Sequence, residues 1–301
     1  MTVQQFFRIV EIRTKVVSMS TFTIAVLYTL YATGDFSWLL FALMLAAVLM
    51  VDMGTTAFNI YFDYLRGVDH ADYEREREKV LVYEGVAPGA AFLSGAGLFG
   101  GAMLLGLVIA FLTGWQVVAA GALCMGVGFF YTGGPYPISN TPIGELFAGG
   151  FLGTALFLIT FFVFSGTVGL QAVLASLPSF LLIASILTVN NTCDIEGDKA
   201  AGRRTFSIVA GRRAGEAAVY VLGALGYGGA AALALAGVFP WWSALAVAVA
   251  AVPAVLEYRA MHRRGFVQAT KGPSMGSISK VFMLYTLAIW ISLASGIIIQ
   301  S

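Results

Sequence analysis

Two clusters of asparagine and aspartate lie where long apolar runs of the chain end. In the first, Asn59 and Asp63 are four residues apart, and in the second the same spacing separates Asn190 from Asp194 and Asp194 from Asp198. A spacing of four places side chains on one face of a helix, one turn apart. Because the same polar pattern, NIYFDYLRGVD and NNTCDIEGDK, occurs twice, the sequence predicts two corresponding sites.

Each cluster adds a further carboxylate near a basic residue, Asp69 near Arg66 and Asp198 beside Lys199. Carboxylate oxygens in this number suit Mg²⁺, which proteins hold through one or two carboxylates together with substrate phosphates. The two histidines and two cysteines have no spacing typical of a zinc site. The chemistry indicated is therefore a Mg²⁺-bound diphosphate that is prepared as a leaving group, with lysine and arginine offsetting its charge.

The first cluster continues inward along its helix. Asp52, Thr56, Asn59 and Asp63 form one stripe of a helix, about 16 Å long at the usual rise per residue. A carboxylate near mid-helix, such as Asp52, costs about 2.5–3.5 kcal/mol to insert in a bilayer and is therefore expected to face a polar interior. Helix ends that meet water also collect asparagine and aspartate, but they do not require this inward stripe.

The elements that carry these residues are membrane helices. The 301 residues are 59% hydrophobic and 11% charged, whereas soluble domains average about 25% charged residues. Their alanine, leucine and glycine content favours helices over barrel strands. We predict a single all-α polytopic membrane domain over residues 1–301. Its nine spans are predicted at Val16–Thr33, Phe36–Ile60, Ala90–Leu112, Trp115–Tyr131, Ile143–Phe164, Leu170–Asn191, Gly215–Ala236, Phe239–Leu256 and Val281–Gln300.

The basic residues support this helix count. All 17 Lys and Arg lie in the N-terminal segment or in the 2/3, 6/7 and 8/9 connections, and the connections on the opposite side contain none. By the positive-inside rule the N-terminus and both polar clusters are cytoplasmic, and the C-terminus is outside. We therefore expect a multi-pass protein of the cytoplasmic membrane with a site that opens to the cytoplasm. No cleavable signal peptide is expected, and a net charge of +1 gives no indication of nucleic acid binding.

The residues of the two clusters resemble the motifs of the UbiA-type intramembrane prenyltransferases, which are nine-helix bundles. The resemblance is strongest to the branch that acts on 1,4-dihydroxy-2-naphthoate in menaquinone synthesis. The pattern N-x-x-x-D-[YF]-x-x-G-x-D is matched from Asn59 to Asp69, and N-N-x-x-D-x-x-x-D-[KR]-x-x-G-x-x-T from Asn190 to Thr205. The connection Tyr131–Glu145 is similar to a third loop of that branch.

This resemblance implies transfer of a polyprenyl group from its diphosphate to an aromatic acceptor, with membrane lipid around the enzyme and no obligate protein partner. It implies that Mg²⁺ is held by four catalytic aspartates, Asp63, Asp69, Asp194 and Asp198. The diphosphate is expected to contact Asn59, Arg66, Asn190, Asn191, Lys199 and Arg203. An acceptor pocket is expected at Tyr131, Tyr136, Glu145 and Asp52. Interfacial anchoring by the tyrosines and a first-turn acid at Glu145 are the alternatives.

Two positions depart from the family pattern. Ile60 stands where many members have a further aspartate, so that one metal ligand is expected to be missing. Cys193 stands where the branch commonly has arginine, which removes one expected diphosphate contact. Glu196 lies about 200° around the helix from Asp194 and is not assigned to the site.

Two other functions are compatible with the pattern. A secondary transporter would also carry carboxylates among membrane helices, although such groups are usually near the bilayer midplane. Within the prenyltransferase superfamily, 4-hydroxybenzoate, homogentisate and other acceptors remain alternatives to 1,4-dihydroxy-2-naphthoate.

Overall fold

The computed structural model describes residues 1–67 and 80–300. All regular secondary structure in the described residues is helical, and these residues contain no strand. Short 3₁₀ segments lie at Ile12–Lys15, Ile138–Asn140 and Gln268–Thr270. The helices are α1 (Val3–Ile9), α2 (Val16–Thr33), α3 (Trp38–Leu65), α4 (Val80–Tyr83), α5 (Pro88–Thr113), α6 (Gln116–Thr132), α7 (Gly144–Ala148), α8 (Leu156–Ser165), α9 (Leu170–Cys193), α10 (Ile195–Ala200), α11 (Phe206–Val209), α12 (Arg212–Leu235), α13 (Ser243–Arg264) and α14 (Lys271–Gln300).

The membrane spans agree with the predicted all-α polytopic fold. Eight helical stretches in the described part of the chain are long and apolar enough to cross a bilayer. The predicted fourth span corresponds to α6, a shorter apolar helix of 17 residues, so the count of nine is matched only if α6 also crosses.

Several helices are longer than the apolar runs that predicted them. Helix α14 begins at Lys271, ten residues before the predicted start at Val281. Its first turns contain glycine, serine and proline, which are weak helix formers, but Ser274 and Ile278 are buried in the bundle. Packing of this face stabilises the helix where local propensity does not.

The bundle has two groups of helices joined by α2. In one group α3 packs against α5 and α6, and in the other α9 packs against α12 and α14, with α13 lying against α12 and α14. Helix α2 contacts α3, α8 and α14. The largest apolar core extends from the second group to α2 and α8 and includes the fully buried Tyr28, Phe157 and Tyr285.

A π-helical segment, Gly149–Ala155, separates α7 from α8 within the predicted fifth span. Such segments are rare and often occur at functional sites. Here Gly149 and Gly153 lie against the backbone of α9: a Cβ atom on Gly153 would be 2.6 Å from the Phe180 nitrogen, and one on Gly149 would be 2.5 Å from the Phe180 oxygen. Only glycine permits this close approach, which fixes α7 beside the last turns of α9.

Candidate active site

The turn after α10 positions a basic side chain by local hydrogen bonding alone. Gly202 adopts φ +77°, and its N–H donates to the carbonyl of Lys199 at 3.1 Å, while the N–H of Arg203 donates to the carbonyl of Asp198 at 2.9 Å. This pair of bonds is the Schellman cap, which favours glycine at the left-handed position. The chain therefore reverses at Gly202 and places Arg203 next to Asp198.

Arg203 joins the two polar clusters that the sequence predicts. Its Nη2 lies 2.7 Å from Oδ1 of Asp63, at the end of α3, and its Nη1 lies 3.1 Å from Oδ1 of Asp198, on α10. The three side chains are 12%, 18% and 6% exposed. One guanidinium thus holds together carboxylates that are separated by more than a hundred residues in the sequence.

The charges of this triad depend on one another. Burial raises the pKa of Asp198 to about 6, and the neighbouring Arg203 opposes that rise. Burial also disfavours the charge of Arg203, but Asp63 and Asp198 outweigh it and raise the pKa of the guanidinium. The second oxygen of Asp198, Oδ2, and Nε of Arg203 are buried and have no hydrogen-bond partner among the described residues. Within the part of the chain that the structure describes, the triad therefore offers a free acceptor for a cation, Oδ2 of Asp198, and a free donor for an anion, Nε of Arg203.

Asp194 is paired with a lysine that the sequence analysis did not identify. Nζ of Lys271, the first residue of α14, lies 2.7 Å from Oδ2 of Asp194, and the two side chains are 17% and 20% exposed. Lys271 belongs to a connection whose basic residues look like orientation signals. No spacing in the sequence identifies Lys271 as a site residue, because Lys271 and Asp194 are far apart along the chain and meet only in the folded bundle.

The end of α3 is attached to α6 through two further predicted residues. Thr132 Oγ1 donates to Asn59 Oδ1 at 2.8 Å. The guanidinium of Arg66 donates to the backbone carbonyls of Thr132 and Gly134, and it lies 5.8 Å above the ring of Phe62. These contacts fix the first cluster against the α6–α7 connection.

The adjacent amides of the second cluster lead to Glu145. Asn190 Nδ2 lies 3.5 Å from Asn191 Oδ1, and Asn191 Nδ2 donates to Glu145 Oε1 at 2.8 Å. Asn191 and Glu145 are 6% and 5% exposed. Tyr131, whose hydroxyl lies 3.5 Å from the carbonyl of Gly144, is close enough to Glu145 to interact with it electrostatically.

The inward stripe of α3 is satisfied by partners from other elements. Nζ of Lys15, 4% exposed, lies 2.7 Å from Asp52 Oδ1 and 2.6 Å from Thr56 Oγ1. Ser18 donates to the other oxygen of Asp52. Asp52 is therefore neutralised by an ion pair inside the bundle, as its cost of insertion requires.

The remaining predicted residues are exposed or lie outside the described residues. Tyr136 is 89% exposed and Lys199 is also exposed. Asp69 falls outside the described residues. Glu196 pairs with Arg212 at the surface, in agreement with its exclusion from the site.

The two departures from the family pattern lie in apolar surroundings. Ile60 is 6% exposed and packs in a cluster with Ile9, Ala57 and Leu81. Cys193 is fully buried in the largest core. Ile60 takes no part in the contacts of Arg203 with Asp63 and Asp198, so the triad forms without the carboxylate expected at position 60.

The donor set suits a hard divalent cation. Asp63, Asp194 and Asp198 supply carboxylate oxygens, and Oδ2 of Asp198 is buried with no partner among the described residues. Within 1–67 and 80–300 there is no group of three or more His, Cys, Asp or Glu that could hold a metal ion by itself. The residues therefore fit Mg²⁺ as proteins bind it with few carboxylates and substrate phosphates, and they do not form a complete protein cage.

Apolar helices that place paired carboxylates and cations at one end of a bundle define a polytopic membrane protein with a site for a charged ligand. A family model for the UbiA prenyltransferase family matches residues 19–275, and the chain belongs to that family. This confirms the predicted family and the prediction of a prenyltransferase enzyme.

Named relatives and solved structures agree with this assignment. The chain is 37% identical to 1,4-dihydroxy-2-naphthoate octaprenyltransferase of Bacillus subtilis over 175 residues, which cover 58% of this chain and 56% of the relative. It is 30% identical to the enzyme of the same name from Mycobacterium tuberculosis, over 88% of this chain and 90% of the relative. The first alignment thus spans little more than half of the relative, and the second spans most of it.

The fold is similar to that of solved archaeal proteins. A UbiA homologue from Aeropyrum pernix in its apo form gives a TM-score of 0.66 at 20% identity, covering 94% of this chain and 98% of that one. A UbiA homologue from Archaeoglobus fulgidus bound to GPP and Mg²⁺ gives 0.63 at 15% identity, covering 94% and 99%. At these identities the likeness concerns the fold.

Proposed function

We propose that the protein transfers a polyprenyl group from polyprenyl diphosphate to an aromatic acceptor, 1,4-dihydroxy-2-naphthoate, in menaquinone biosynthesis. The observation that carries the proposal is the contact of Arg203 with both Asp63 and Asp198. It brings the two carboxylate clusters to one place, where a diphosphate needs both cations and a metal. The names of the two bacterial relatives support the acceptor.

In this proposal Asp63, Asp194 and Asp198, with Asp69 from outside the described residues, hold Mg²⁺. The bound metal would supply charge neutralisation on the diphosphate oxygens, as the presence of GPP and Mg²⁺ in the A. fulgidus homologue suggests. With the carboxylates bound to the metal, Arg203 and Lys271 would be available to contact the diphosphate. A guanidinium suits this role because its fork of N–H groups matches phosphate oxygens.

The reaction begins when the allylic C–O bond breaks and its electron pair leaves with the diphosphate. A pair of ring electrons of the acceptor then forms the new C–C bond to the allylic cation. Loss of the acceptor's carboxyl group as CO₂ returns an electron pair to the ring. Preorganised positive charge at the departing oxygens favours the first step.

The proposed site lies on the cytoplasmic side of the cytoplasmic membrane. The segregation of all 17 Lys and Arg to alternate connections supports this orientation. Both substrates can then reach the site, the prenyl chain from the bilayer and the polar acceptor from the cytoplasm.

An assay in membranes tests the function. The wild-type protein, prenyl diphosphates and several aromatic acceptors are incubated with Mg²⁺, and diphosphate release and product mass are followed. We expect Asp63→Ala and Asp194→Ala to abolish transfer and Glu196→Gln, a matched carboxylate at the surface, to retain it. No product with any aromatic acceptor would reject the function, and near-normal activity of either alanine variant would reject the metal assignment.

A further inference from the structure

Glu145 is a buried carboxylate, and one of its two oxygens has no hydrogen-bond partner among the described residues. Its Oε1 accepts a hydrogen bond from Asn191 Nδ2 at 2.8 Å. Its Oε2 is buried and has no partner among the described residues, and the residue as a whole is only 5% exposed. A buried carboxylate oxygen without a donor is costly, so this position is suited to a ligand that supplies one.

The position of Glu145 is fixed by two contacts with α9. The π-helical segment that follows α7 is held against α9 by the close approach of Gly149 and Gly153 to Phe180. Nearer the end of α9, Asn191, which is 6% exposed, donates to Glu145 Oε1. Oε2 is therefore presented by rigid helices, as a binding group requires.

Glu145 also lies near the Arg203 triad. The hydroxyl of Tyr131 lies 3.5 Å from the carbonyl of Gly144, the residue before Glu145. The backbone N–H of Arg204 donates to the carbonyl of Asn140 at 3.0 Å, so the connection that leads into α7 contacts the residue that follows Arg203. A ligand that reaches Oε2 of Glu145 is thus close to the place proposed for the diphosphate. This proximity is what an acceptor ring requires if it is to meet the carbon that the diphosphate leaves.

We propose that Glu145 Oε2 accepts a hydrogen bond from a hydroxyl group of the aromatic acceptor, and this inference rests on the proposed function. The carboxylate selects hydroxylated aromatic rings, because a ring without that hydroxyl leaves Oε2 buried without a donor. The same hydrogen bond increases the electron density of the ring, which favours attack on an allylic cation. Asn191 is then a positioning residue for Glu145.

Glu145→Gln tests whether the group at the Oε2 position must be a hydrogen-bond acceptor. The glutamine can still accept from Asn191 through Oε1, and it then places an NH₂ donor where Oε2 stood. We expect kcat/KM for the acceptor to fall about 10- to 100-fold, the loss typical of a hydrogen bond to a charged group. The KM for prenyl diphosphate should change less than about twofold. The matched control is Glu257→Gln on α13, where the carboxylate accepts from Ser277 and Lys280, neither of which is assigned to the site. Its kinetics should equal those of the wild type.

A second measurement compares two acceptors. In the wild type, an acceptor whose hydroxyl groups are methylated should compete with the free acceptor at least about tenfold more weakly, and Glu145→Gln should lose most of this discrimination. Unchanged acceptor kinetics in Glu145→Gln, an equal loss for both substrates, or equal binding of the methylated acceptor by the wild type would each overturn the proposal. If the wild type transfers prenyl groups to no aromatic acceptor, the proposed function itself fails, which is a distinct outcome that removes this proposal as well.

Discussion

Replacing Arg203 by glutamine should destabilise the protein and make its stability depend on Mg²⁺. In the structure Arg203 Nη2 and Nη1 lie 2.7 Å and 3.1 Å from the carboxylates of Asp63 and Asp198. With an effective dielectric constant of about 20, attraction over these distances is ~6 and ~5 kcal/mol. Desolvation of three charges cancels much of this, and removing one partner of a buried pair costs about 3–5 kcal/mol. The glutamine variant would leave two carboxylates facing each other without a cation.

The assay is thermal unfolding of the detergent-solubilised protein with and without Mg²⁺. At ~2 °C per kcal/mol, the Tm of Arg203→Gln should fall by roughly 6–10 °C in EDTA. Mg²⁺ should restore much of this loss, because a ligand that binds only the folded state stabilises it. The wild type should respond less, since Arg203 competes with the metal for the same oxygens. Binding of inorganic diphosphate should weaken in the variant even when Mg²⁺ is saturating.

Two control variants sharpen this test. Arg203→Lys keeps one positive charge but cannot reach both carboxylates in a bidentate fashion, so its Tm should lie between those of the wild type and Arg203→Gln. Arg212→Gln removes an arginine whose carboxylate partner Glu196 is 65% exposed and which also donates to the carbonyl of Thr192 at 3.0 Å; it leaves no buried carboxylate without a cation, so it should cost less than Arg203→Gln. If Arg203→Gln unfolds at the wild-type temperature, or if Mg²⁺ stabilises both proteins equally, the triad does not hold the clusters together as described.

Three further outcomes are expected. Because the pKa of Asp198 is about 6, Mg²⁺ must displace its proton at lower pH, and the apparent Kd for Mg²⁺ should rise about tenfold per pH unit below about 6; titrations between pH 5 and 8 that show no change would contradict this. Gly153→Ala should lower the free energy of unfolding by about 1–3 kcal/mol through overpacking, while Gly150→Ala, where the new Cβ meets only an ordinary contact at 3.9 Å, should unfold like the wild type. Lys15→Met leaves Asp52 buried without its cation and should cost about 3–5 kcal/mol, most of which Lys15→Met/Asp52→Leu should recover; equal Tm values for the single and double variants would show that the pair is not coupled.

The amino-acid sequence determined the features that depend on neighbouring residues. Hydrophobic runs and the placement of Lys and Arg predicted the spans. A spacing of four predicted one helical face for Asp194 and Asp198, whereas α9 ends at Cys193 and Asp198 lies on the separate helix α10. The turn at Gly202 is also local, because only a residue that tolerates positive φ can close that cap. These properties are set within a few residues, and for that reason they could be predicted from the chain alone.

The tertiary structure alone decided which side chains meet. Arg203 and Asp63 are 140 residues apart, and Glu145 and Asn191 are 46 apart. Their contacts depend on how each helix is rotated about its axis and how far it slides along its neighbour. The periodicity of apolar residues indicates which face of a helix is buried. It does not specify which face of a neighbouring helix packs against it. Here that choice is made by packing at small residues such as Gly153 and by the π-helical segment, which no apolar pattern encodes.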